Sequence, residues 1–223
     1  MKYTILRSKR KTIALYVRNG TVEVRAPLWA RQSEIDKFVV GHEKWIRDKL
    51  EKSKTQQLQY DNFALKYGDT TLYRGKEYPI IAKEGSRVGF DINHFYIPPS
   101  LNPDEIKKAC IQIYQILAKN YIPRRVLTLS NAMGLTPSAI KINSAKTRWG
   151  SCSSKKSINF SWRLIMANDE AIDYVIIHEL AHLIEMNHSP RFWGIVEAVL
   201  PDYRKHKAHL KELQRRLATE NWS

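Results

Sequence analysis

The segment IIHELAHLIEMNHSPRFW, residues 176–193, concentrates side chains that bind metals and move protons. His178 and His182 stand four positions apart, with Glu179 beside the first. On a helix, four residues advance ~400° and ~6 Å, so both imidazoles leave one face, a turn apart. Ring nitrogens so placed can reach one Zn²⁺ at ~2.0–2.1 Å. Glu179 then sits beside the ion without binding it, the place of a general base acting on a metal-activated water. The flanking Val175, Ile176, Ile177, Leu180, Leu183 and Ile184 predict that this helix is buried. A carboxylate buried between two imidazoles is costly unless a cation compensates it, and a divalent metal does so.

A catalytic zinc takes three protein ligands and keeps one position open. The spacing favours His188, six positions beyond His182. That reading ends the helix near Met186 and turns the chain back through Asn187 in the left-handed conformation. Glu185 and Glu197 are rival third ligands, with Cys152, His206 and His209 as remoter ones. Mn²⁺, Co²⁺ or Ni²⁺ also suit such a donor set. Arg148, Tyr174 and Tyr203 are candidate transition-state or substrate contacts.

The surrounding pattern says what positions these groups. Asn168 or Asp169 can cap the metal-site helix, and Ser189-Pro190 starts another at once. Pro201 opens a last, basic amphipathic helix to about Ala218. Upstream, residues 140–149 and the run SINFSWRLI read as partner strands around a turn at 150–156. Their edge could align an extended peptide, while Trp149 and Trp162 could seal the core over the helix. Pro103-Asp104-Glu105 opens a helix through about Lys119, with Pro123 predicting a kink if it continues. Nearer the start, residues 2–26 read as strands around an Asn19-Gly20 turn. Ser33 begins a helix to about Leu50, and 52–61 reads as a polar linker. Residues 62–98 look β-rich, with turns at Gly75-Lys76 and Asn93-His94.

TRWGSC (147–152), HELAHL (178–183), NHSPRFW (187–193) and LPDYR (200–204) together resemble the YgjP-like metallopeptidase domain, akin to SprT-like and WLM zinc proteases. RSKRKTIALYV, VEVRAP and LYRG near the N-terminus are similar to that family too, so the resemblance spans nearly the whole chain. It implies a zincin-like fold with one zinc per chain, held by His178, His182 and His188. The expected fold class is α+β. Residues 1–100 form a β-rich N-terminal region with one helix, packed on the catalytic part. Residues 101–223 form a zincin-like metallohydrolase domain with a β-hairpin or small sheet.

Composition narrows the partners. Of 223 residues, 43% are hydrophobic and 26% charged, which excludes overall disorder. The net charge is +15, and residues 106–166 hold no Asp or Glu but eleven Lys and Arg, a stretch that favours an anionic partner such as nucleic acid or nucleotide. The two cysteines cannot build a disulfide framework. With no signal peptide and no membrane span recognised, a cytoplasmic location is the expectation. The leading reading is a zinc metallopeptidase acting on a peptide or protein. The alternatives are a metal-dependent nucleotide phosphohydrolase of pyrophosphatase type and a DNA-associated protease-type module. The phosphohydrolase lacks a Walker-type loop or a carboxylate cluster for Mg²⁺.

Overall fold

A computed structural model describes residues 2–18 and 20–222. The chain is α+β, as expected. It divides into two compact units, one of residues 1–63 with 218–221, the other of residues 64–217 with 222–223. Residues 64–100 thus cluster with the second unit, on the far side of the boundary expected near residue 100.

The first unit is a three-stranded sheet under two helices. Strands β1 (Thr4–Ser8), β2 (Ala14–Arg18) and β3 (Thr21–Pro27) run in the order β1-β3-β2, with β3 parallel to β1 and antiparallel to β2. Asn19, half of the expected turn, lies outside the described residues. On β3, Val22, Val24 and Ala26 alternate inward, as the period of two requires. They pack with Ile35 and Val39 of α1 (Gln32–Gly41) and Ile46 of α2 (Glu43–Asp61). Helix α1 starts one residue earlier than expected, where the Glu34 carboxylate accepts the Arg31 backbone N–H. Residues 52–61 are not a linker but the second half of α2. They contain no Gly or Pro, and half of them are Lys or Gln, both good helix formers.

The second unit opens with strands β4 (Thr70–Tyr73), β5 (Lys76–Ala82), β6 (Gly89–Phe90) and β7 (Phe95–Ile97), ordered β4-β5-β7-β6. The β4–β5 turn falls on Arg74-Gly75, one residue before the expected place, with φ of 48° and 77°. Two positive φ values match the right-handed twist of a hairpin. A β-carbon at Gly75 would lie 2.7 Å from the Asn168 β-carbon, so only glycine fits there. Helix α3 (Pro103–Ala132) continues past Lys119, with Pro123 inside it. Its start is a capping box between Asn102 and Glu105.

Three short strands follow: β8 (Ala139–Asn143), β9 (Gly150–Cys152) and β10 (Ser157–Ser161), in the order β8-β10-β9. Strand β10 pairs antiparallel with β9 and parallel with β8. Residues 140–149 are therefore not one strand hairpinned to β10; the hairpin partner is β9. Residues 162–166 leave the expected strand as a 3₁₀ turn, which buries Trp162 against Tyr114 in a stacked contact. Then come α4 (Asp169–Ala181), α5 (Pro190–Val199) and α6 (Tyr203–Leu217). Helix α4 is buried nearly all round, like the core helix its apolar sequence predicts. Among the described residues, no helix is long and apolar enough to cross a membrane.

Candidate metal centre

Helix α4 is held at its start. The Asn168 side chain accepts the Ala171 N–H at 3.1 Å, and Asp169 and Glu170 suit the positive end of the helix. The Arg74 guanidinium forks onto Asp169, and Arg125 forks onto Asp173 at 2.6 Å. These contacts fix the axis that carries His178 and Glu179, between about one and three turns further on.

The helix ends at Ala181, with His182 as its cap, earlier than the expected Met186. Hydrogen-bonded turns carry the chain on: Leu183 N–H bonds Leu180 O at 2.9 Å, and Glu185 N–H bonds Ala181 O at 3.0 Å. Asn187 does not have a positive φ, so the expected left-handed reversal does not occur there. The turn from 182 to 188 is spread over several residues instead. Ser189 then caps α5, its Oγ accepting the Phe192 N–H at 3.3 Å.

This path brings three imidazoles together. The ring centroids of His178, His182 and His188 are 5.0, 4.9 and 4.8 Å apart, nearly an equilateral triangle. One nitrogen of each lies within 4.8 Å of the other two. His178 Nε2 and His188 Nε2 are 3.0 Å apart, near the ~3.3 Å that two nitrogens on one tetrahedral zinc require. The His182 Nδ1 lies 3.1 Å from the Glu185 carbonyl oxygen, a bond that leaves Nε2 for the cluster. The fully buried Phe192 supports all three rings, at 4.8, 4.5 and 4.8 Å.

Electrostatics set this end of α4 apart. Burial, with the neighbouring His182 and His188 and the Lys207 charge, pushes His178 down to about 3, so its ring is neutral, as a ligand must be. Glu179 is 5% exposed, and burial pushes its carboxyl up to about 7, against the pull of Arg148. Neither Glu179 Oε2 nor His178 Nδ1 has a hydrogen-bond partner, though both are buried. Buried polar atoms are almost always paired, so the Glu179 oxygen beside the cluster suits a polar ligand; His178 Nδ1 is the ring nitrogen that the cluster does not use. A three-imidazole donor set with an adjacent, unsatisfied carboxylate fits a divalent cation such as zinc.

The other candidates lie elsewhere. Glu197 pairs with Arg204 at 3.6 Å and His206 with Asp202 at 3.5 Å. Glu185 contributes its main-chain oxygen to His182, His209 is exposed, and the Cys152 thiol faces the Ser153 carbonyl at 3.5 Å. Among the described residues, only the three histidines form a metal-sized cluster. Tyr174 lines a cavity of about 340 Å³ beside His178 and Glu179, its hydroxyl pushed up to about 12 chiefly by burial. Arg148 is exposed but near enough to act on Glu179. Tyr203 stacks between Tyr174 and Trp193 and does not line the cavity. Of the basic side chains in 106–166, Lys107 pairs with Asp104, Arg125 with Asp173, and Arg163 bonds the Ser144 and Trp222 carbonyls, so the stretch is not one free positive face.

Sequence reasoning missed Gly150. A β-carbon there would meet Glu179 Oε1 at 2.6 Å and Cγ at 2.7 Å. The glycine in TRWGSC is the space the carboxylate occupies. It also missed Lys207 and Lys211, which line the same cavity from α6. Their spacing of four was the legible signal.

The family model of the YgjP-like metallopeptidase domain matches residues 11–213. The crystal structure of the metallopeptidase zymogen of Pyrococcus abyssi abylysin is similar over 42% of this chain and 96% of that one, at 25% identity and a TM-score of 0.39. No curated protein matches the chain.

Proposed function

The chain belongs to the YgjP-like metallopeptidase family, and from that premise we propose that it is a zinc-dependent peptidase with His178, His182 and His188 as ligands and Glu179 as general base. One observation carries the reading: three converging imidazoles stand beside a buried carboxylate oxygen that has no partner. Zinc, when bound, supplies a water of lowered pKa and polarises the scissile carbonyl. Glu179 Oε2 takes the proton of the attacking water and returns it to the leaving amine. Gly150 leaves the carboxylate room, and the burial of Glu179 strengthens the charge interactions it makes. Tyr174, which lines the cavity, and Arg148, whose charge reaches Glu179, are our candidate donors to the developing oxyanion. Tyr203 backs the Tyr174 ring.

The substrate is read as an extended peptide. Strand β9 is an edge strand, so its outer N–H and C=O groups are available to a peptide strand lying beside Glu179. The test is cleavage of an unfolded protein by the zinc-loaded chain and by Glu179→Gln. Loss of activity by ~10³-fold in the variant, with stoichiometric zinc, is the expected result. Undiminished cleavage by Glu179→Gln removes Glu179 as the base. Hydrolysis of nucleoside triphosphates in place of peptide moves the site to the phosphohydrolase reading.

A further inference from the structure

We propose that the cavity beside Glu179 is a specificity pocket for a substrate carboxylate, read by Lys207 and Lys211. The inference rests on the peptidase reading and deepens it. The cavity of about 340 Å³ has Glu179 and His178 at its inner end, so its occupant sits next to the reacting bond. Its side walls are apolar or aromatic, from Trp149, Tyr174 and Leu210. The one strongly polar feature away from the chemistry is the pair of ammonium groups on α6.

Lys207 and Lys211 are four residues apart, so they leave the helix on one face, a turn from each other. Like charges so placed repel, and an anion between them relieves the repulsion. Neither makes an ion pair among the described residues, while the nearby acids are engaged elsewhere: Glu212 with Arg215 at 2.7 Å, Asp202 with Lys205 and His206, Glu197 with Arg204. The Lys207 ammonium rests 4.9 Å over the Trp193 ring, which fixes it at the mouth rather than letting it drift to solvent. Glu179 is the sole acid in the lining, and it stands at the reacting centre rather than beside the lysines on α6. The pocket is therefore apolar along its length and positive at its rim, which suits the aliphatic stem and charged head of Glu or Asp. A free C-terminal carboxylate has the same headgroup chemistry.

Matched peptides separate the two sources. One set carries Glu, Gln or Lys at the residues flanking the scissile bond. The other carries an identical sequence with a free or an amidated C-terminus. The full zinc-loaded chain is expected to favour Glu over Gln, or free acid over amide, by about tenfold in kcat/KM. That is the modest size expected of two solvent-exposed ammoniums. The preference shrinks at 1 M salt and falls towards unity in Lys207→Gln/Lys211→Gln, with zinc content and Tm retained. Preference for Glu identifies a side-chain pocket, and preference for the free acid identifies a carboxypeptidase-type subsite. Equal cleavage of acidic and neutral peptides, a preference for Lys, or an acidic preference that survives the double substitution overturns the inference and leaves the peptidase standing. Failure to cleave any of these peptides, with zinc bound, removes the peptidase reading itself.

Discussion

Helix α4 carries ionisable groups at both ends and treats them in opposite ways. At the start, Asp169 has Arg74 and the Tyr121 hydroxyl, and Asp173 has Arg125, so both of these part-buried carboxylates are answered by a cation or donor. At the other end, Glu179 and His178 are more deeply buried, yet each has a polar atom with no partner. The first arrangement is what a stable fold does with charge near a core. The second leaves the Glu179 oxygen unpaired beside the imidazole cluster, a cost that a ligand there can relieve. One helix thus separates an anchor from a working site over less than three turns.

That contrast can be broken most sharply at the imidazole end. His188→Ala removes one of three convergent nitrogens, so we expect zinc content to fall below stoichiometry and cleavage to drop at least ~10²-fold. Retention of one tightly held zinc per chain would place the third ligand elsewhere. Gly150→Ala drives a methyl into the Glu179 carboxylate. A displacement near 1 Å at the base lowers kcat by about 10²-fold while zinc remains bound. An unchanged kcat in a folded variant would separate Glu179 from the chemistry.

The anchor end predicts stability effects without chemical ones. Arg125→Ala leaves the mostly buried Asp173 without its guanidinium. Urea denaturation should report a loss of about 1–2 kcal/mol, tempered by the solvent exposure of Arg125. The kcat/KM per folded, zinc-loaded molecule should not move; a matching loss of activity would merge the two ends into one functional unit. The smallest effect is pH-dependent. The Arg74 hydrogen bonds, joined by Tyr121, hold Asp169 below the usual carboxylate range against the opposing effect of burial. A depressed folded pKa means that the interaction stabilises the protein above the unfolded value of ~3.9 and is lost as the pH falls through the folded value. Tm should therefore fall more steeply below pH ~4 in the wild type than in Asp169→Asn. Parallel curves for the two would leave the pair without a measurable share in stability.

Much of this was legible in the chain because it depends on local spacing. The i, i+4 histidines, the apolar flanks of α4, the Ser189-Pro190 start and the N-terminal strands follow from periodicities of 3.6 and 2. What sequence did not reveal depends on partners distant along the chain. The 3₁₀ turn at Trp162 forms where SINFSWRLI reads as strand, because Tyr114 and Trp222 take the indole into the core. Strand β10 is central because β8 joins it in parallel, a long-range pairing that no local pattern announces. The polar 52–61 stretch was a helix all along, since low hydrophobicity argues against burial and not against helix formation. The role of Gly150 needed the Glu179 carboxylate beside it before its missing side chain meant anything.

The atom that steadies the His182 ring is a main-chain oxygen, at Glu185. No side-chain replacement at 185 can delete that acceptor, so the orientation of this ring is insulated from ordinary mutational drift there. It is exposed instead to anything that reroutes the peptide chain between Ala181 and Ser189, such as an insertion or a proline. Alterations of length in that short connection are therefore the changes this imidazole cluster should tolerate least.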